Sequence, residues 1–109
     1  MNKQTTSGNN QNQREYSLGE ALLALESEEE MMAFLRDLCT PAEIKAMKER
    51  WRVCQLLKQK KGSYQDIHDN TQVSITTIGR VARFLFNESN EGYVLALNRL
   101  HEKHPAHQD

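Results

Sequence analysis

Long apolar stretches are missing from these 109 residues. No hydrophobic run is longer than that of Ala21 to Leu25, about a quarter of what a membrane span needs, and nothing resembles a secretory signal. A soluble, cytoplasmic protein is expected. Cysteine is scarce: Cys39 and Cys54 fall inside expected helices and read as buried, reduced thiols, too few for a zinc site. Three of the four histidines, His101, His104 and His107, crowd the C-terminal end. Pro105 separates the third from the other two, so no single helical face presents all three, and a solvated tail is the reading. No nucleophile, base and orienting group stand in a recognisable set, which argues against an enzyme; neither metal nor cofactor is expected. There is no internal repeat. With 38% hydrophobic residues, the length corresponds to one domain with a modest core.

Net charge is also nearly absent, at −1, but the charges are segregated. Residues 1–39 carry three basic and seven acidic groups, a balance of −4. Residues 40–86 carry nine basic and four acidic groups, a balance of +5, and residues 87–109 return to −2. A local basic excess of this kind is the electrostatic footprint of a nucleic-acid-binding module in a chain that is not basic overall.

Residues 1–14 hold no large apolar side chain after Met1 and are rich in Asn, Gln, Ser and Thr, the composition of a disordered polar arm. A helical domain over 15–104 follows, with 105–109 as a tail. Ser17 with Glu20 has the spacing of a capping box and opens a helix from Tyr16 to Glu26 bearing Leu18, Ala21, Leu22 and Leu25 on one stripe. Ser27 caps a second helix whose first turn, Glu28-Glu29-Glu30, suits the positive end of a helix dipole. Thr40, Pro41 and Glu43 agree on the start of a long helix running to about Lys60, with Ile44, Met47, Trp51 and Cys54 inward and Gly62 past its last turn. After a polar loop, a last helix from about Tyr93 to Lys103 turns Tyr93, Val94, Leu97 and Leu100 inward. Six helices and an all-α fold result. Several are apolar over a wider arc than a small monomer can hide, so a symmetric homodimer is expected.

Between the last two of these regions, Ser63 to Leu85 has the pattern of a helix-turn-helix. Ser63 caps a short helix whose inward residue is Ile67; Asn70-Thr71-Gln72 breaks the periodicity; Val73 re-enters the core. Ser74 caps the second helix, with Ile75, Ile78, Ala82 and Leu85 inward at helical spacing. Two positions depart from the usual pattern. His68 stands where the helices cross and a small residue is common, and Gln72 stands at the turn position that favours glycine. Outward-facing Ser74, Thr76, Thr77, Gly79, Arg80 and Arg83 suit a close approach to phosphates and base edges.

Taken together, Thr40-Pro41-Ala42-Glu43, Glu49-Arg50, Ser63-Tyr64-Gln65-Asp66-Ile67, Ser74 to Val81, Phe84-Leu85 and Asn90-Glu91-Gly92-Tyr93 resemble the tryptophan repressor family, most closely its YerC-like branch. The resemblance implies an intertwined all-helical homodimer that binds operator DNA as a transcriptional repressor. It further implies that Gln65, Ile75, Thr76 and Gly79 read bases, while Ser63, Tyr64, His68 and Ser74 lie near phosphates. Thr40, Arg50, Thr77 and Arg80 match the family's co-repressor pocket. Val81 and Phe84 replace a glycine and a small hydroxyl residue there, so the pocket is expected to be blocked, and Arg80 is free to face DNA. Two other readings stay open: a tryptophan- or other small-molecule-dependent aporepressor, and a helix-turn-helix module that docks onto the transcription machinery.

Overall fold

The computed structural model describes residues 14–87 and 91–105. All regular structure among them is helical: α1 (Leu18–Leu23), α2 (Glu28–Leu38), α3 (Pro41–Lys58), α4 (Tyr64–Thr71), α5 (Ile75–Phe86) and α6 (Gly92–Lys103). The expected polar arm (apart from Arg14), Asn90 and His107 lie outside the described residues. The chain divides between Thr40 and Pro41 into two compact units.

In the first unit, both caps form as the residue types require. The Glu20 N–H donates to Ser17 Oγ at 3.1 Å and the Ser17 N–H to Glu20 Oε1 at 2.7 Å, a full capping box. That backbone bond and the Arg14 guanidinium hold the Glu20 carboxyl below its usual range. The Glu30 N–H donates to Ser27 Oγ at 3.0 Å. α1 is shorter than expected and stops at Leu23, which leaves Leu25 off the helix. Cys39 is the C-cap of α2 rather than a residue within it, and it is half-buried. Neither α1 nor α2 buries a single residue.

The second unit has the core. Val53, Cys54 and Leu57 from α3, Ile67 from α4, Val73 from the turn, and Ile78, Val81, Ala82 and Leu85 from α5 form one buried cluster. The α5 members recur at intervals of three and four, so one arc of that helix is enclosed and the opposite arc is exposed. α5 packs against α3, α4 and α6 and is the central element of the unit. Ile75, expected inward, is instead 42% exposed; by helical periodicity it falls at the edge of the arc that Ile78, Val81, Ala82 and Leu85 bury. Leu100, also expected inward, is 44% exposed; Tyr93, Val94 and Leu97 alone bring α6 onto the core. Trp51 packs on the cluster and stacks on Tyr93, with ring centroids 6.5 Å apart.

α3 ends differently from the expectation built on Gly62. The Lys61 N–H donates to Leu56 O and the Lys60 N–H to Leu57 O, both at 3.1 Å, the paired bonds of a Schellman motif. Lys60 therefore takes the left-handed position, with φ 57°. Gly62 serves the next helix instead: at φ 110° a Cβ there would stand 2.7 Å from Asp66 Oδ2. Only glycine leaves Asp66 room to cap α4.

Candidate nucleic-acid interface

α4, the turn and α5 form the expected helix-turn-helix. Ser63 opens α4 with a second capping box: the Asp66 N–H donates to Ser63 Oγ at 3.1 Å, and the Ser63 N–H to Asp66 Oδ2 at 3.0 Å. Asp66, which enters the sequence reading only as part of the family motif, is the capping partner, and its position three residues after a serine carries the signal. Ser74 opens α5, accepting from the Thr77 N–H at 3.1 Å while its hydroxyl donates to Thr77 Oγ1 at 3.0 Å.

The turn is locked by side chains. Gln72 adopts the left-handed conformation, φ 67°, that the pattern assigns to glycine, and its N–H donates to His68 O at 2.7 Å. The Thr71 hydroxyl donates to Ile67 O at 2.7 Å and accepts from the Val73 N–H at 3.1 Å. His68 spans the same turn, with Nδ1 2.8 Å from Val73 O; a carbonyl only accepts, so Nδ1 carries the proton. The half-buried imidazole thus stitches α4 to the start of α5 at the crossing where a small residue was expected.

Ser63, Tyr64, Gln65, Ser74, Ile75, Thr76, Arg80 and Arg83 are exposed, while His68, Thr77 and Gly79 are half-buried. Gln65 is oriented by its own helix, its amide donating to Asp69 Oδ1 at 3.0 Å. A Cβ built at Gly79 meets nothing within 4 Å, so this position is open to whatever approaches α5. The Phe84 ring carries two guanidiniums, with Arg80 Cζ 4.7 Å and Arg83 Cζ 5.0 Å from its centroid.

Beside this face lies a surface cavity of about 540 Å³ bounded by Arg50, Arg80, Phe84, Gly92 and Tyr93. Of the residues matched to a co-repressor pocket, Arg50 and Arg80 meet here. Thr77 is not on the wall, and its hydroxyl is engaged by Ser74. Val81 is wholly inside the core and does not line the cavity, whereas Phe84 forms one wall and leaves the space beside it open. Burial, and secondarily Cys54, pushes the Tyr93 phenol above the ordinary tyrosine range, and the positive field of Arg50 and Arg80 pulls it back. The place of Tyr93 on the cavity wall follows from α6 meeting α5, which no local pattern records.

The family model for Trp repressor protein matches residues 14–101. This chain belongs to the Trp repressor family. An uncharacterised protein, YerC of Bacillus subtilis, is 38% identical over 82 residues, covering 75% of this chain and 77% of its own length. The crystal structure of a TrpR-like protein from Eubacterium eligens superposes with a TM-score of 0.69 at 37% identity, covering 76% of this chain and 84% of the other. Family membership points to a DNA-binding regulator, and no helix among the described residues is long and apolar enough to cross a membrane.

Proposed function

We propose that this Trp repressor family member is a sequence-specific double-stranded DNA-binding transcriptional regulator, a repressor, that works as a homodimer without tryptophan. The observation carrying this reading is the helix-turn-helix itself. Its core arc is fully enclosed, and its other arc offers polar side chains, two arginines and an open position at Gly79. In a major groove, Gln65, Ile75, Thr76 and Gly79 approach base edges, and Ser63, Tyr64, His68, Ser74, Arg80 and Arg83 approach phosphates, with Thr77 supporting Ser74.

The dimer is supported by apolar side chains left in water: Leu18, Leu23 and Leu38 in the first unit are 55%, 87% and 54% exposed, and Leu95 in α6 is 50% exposed. A second copy is the partner that such surfaces most often cover, and it would supply two half-sites one DNA turn apart. Sedimentation at micromolar protein should give the dimer mass; a monomer would remove this part of the reading.

Selection of bound duplexes from a random library tests the function directly. A shared motif with steeply salt-dependent affinity is the expected result. No binding even at low salt would turn the reading toward a protein-docking module. The cavity beside Phe84 favours one second reading, a small-molecule effector whose anionic group meets Arg50 and Arg80. Titration calorimetry with L-tryptophan separates the two, and micromolar binding would overturn tryptophan independence.

A further inference from the structure

Phe84 stands among the DNA-facing residues yet has nothing polar to offer DNA. Its ring is half-buried, and each of two neighbouring arginines lays its guanidinium over it. The spacing favours the first contact, because Arg80 lies one helical turn before Phe84, whereas the adjacent Arg83 reaches the ring by its length. A cation held within about 6 Å of a ring face is attracted by the ring's quadrupole. An arginine stem otherwise samples many rotamers, and that freedom is lost when it meets a phosphate. An arginine already resting on a ring has lost part of it beforehand.

We propose that Phe84 is a positioning residue for DNA binding: its ring holds the Arg80 guanidinium, and with it that of Arg83, in the orientation that meets the DNA backbone. The device belongs to the protein and needs no small-molecule effector. It also accounts for a large aromatic on the edge of a cavity that it does not fill. This inference rests on the DNA-binding reading, so the test separates the two.

Fluorescence anisotropy with a labelled duplex, measured on the full chain over a range of salt, comes first. If the wild-type protein fails to bind, the DNA-binding reading falls and this inference falls with it. If it binds, Phe84→Leu, which keeps the apolar bulk, should weaken binding roughly two- to fivefold for each stacked guanidinium. Phe84→Tyr, which keeps the ring, should restore wild-type affinity. In an Arg80→Ala background, Phe84→Leu should lose about half of its effect, because only Arg83 is left to position; a merely structural role would show no such coupling. Unchanged affinity of a folded Phe84→Leu protein, or an equal loss in both backgrounds, would overturn the proposal. Should Phe84→Leu not fold, Arg80→Lys carries the test. It keeps the charge but not the planar stack, and an affinity within twofold of wild type would overturn the role of the ring.

Discussion

Replacing Gly79 with alanine sets the stability of the protein against its function. Gly79 lies in the second turn of α5 with no left-handed φ, so its backbone conformation does not call for glycine. Nor does the packing: an added Cβ meets no atom within 4 Å. A glycine inside a helix costs roughly 0.5–1 kcal/mol relative to alanine, through the backbone freedom it loses on folding. Gly79→Ala should therefore raise the unfolding free energy by that amount. For a domain of this size the melting temperature should rise by about 2–8 °C, compared at fixed protein concentration. If α5 is a reading head, the same methyl group projects toward base edges, and loss of one such contact costs about 1–3 kcal/mol, roughly five- to 150-fold in affinity. Calorimetric melting paired with anisotropy on the selected duplex and on a scrambled one gives both quantities. Specific binding should fall while scrambled-duplex binding stays level. A variant that melts higher and binds the selected duplex as tightly as wild type would show that DNA does not approach α5 at this position. One that melts lower would show that the open space is filled in the assembled protein.

Gln72→Gly should relieve the left-handed strain in the turn and raise the urea midpoint, by up to about 1 kcal/mol of unfolding free energy. A drop would show that the Gln72 amide bond to Asp69 O, 2.9 Å, outweighs that strain. Burial pushes the Cys54 thiol up to about 11, with Lys58 drawing it back, against 9.0 for an ordinary thiol. The unfolded chain then ionises first, so this contribution to stability is complete below pH 9 and is lost as pH rises toward 11, at up to about 1.4 kcal/mol per pH unit. Urea titrations from pH 8 to 11 should show a steeper fall in the wild type than in Cys54→Ala, where the half-buried Tyr93 phenol still contributes above about pH 10; the same slope in both would refute the assignment. A thiol reagent should modify half-buried Cys39 in the native protein and reach Cys54 only on unfolding.

Features written in nearby residues were legible in the sequence. Ser17, Ser27, Ser63 and Ser74 each begin the helix their chemistry suggests, and Ile67, Val73, Ile78, Ala82 and Leu85 form the core that their spacing implies. The left-handed turn at Gln72 was readable because the helix-turn-helix geometry demands it whatever residue stands there. What escaped depends on more distant or competing interactions. Gly62 looked like the end of α3, but Lys60 takes the left-handed position and the glycine makes room for Asp66. Ile75 continues the apolar stripe in sequence, yet it falls at the edge of the buried arc of α5 and stays exposed. At the candidate site, the outward residues followed from periodicity, whereas the stack on Phe84 and the cavity between Arg50 and Tyr93 depend on rotamers and on the docking of α6.

The turn between α4 and α5 contains no glycine, so side chains must hold the angle at which the two helices could meet DNA together. Thr71 shares that task with His68, because its one hydroxyl both donates to Ile67 O and accepts from the Val73 N–H. Thr71→Val keeps the shape of the side chain and removes both bonds, leaving the half-buried turn with an unpaired amide at Val73. An unsatisfied buried donor costs about 1–3 kcal/mol, so the variant should unfold at correspondingly lower urea while remaining folded without it. Amide exchange at Val73, followed by NMR, should accelerate far more than exchange at Ile78 or Val81, since the damage begins in the turn and not in the core. His68 and the backbone of Gln72 still bridge the turn, so α4 and α5 should stay paired but move more freely against each other. Duplex affinity should then drop even though no residue facing DNA has changed. If Val73 exchange and duplex affinity both match wild type, the angle between the helices is set by packing of Ile67, Val73 and Ile78 alone, and the polar contacts across the turn contribute nothing to it.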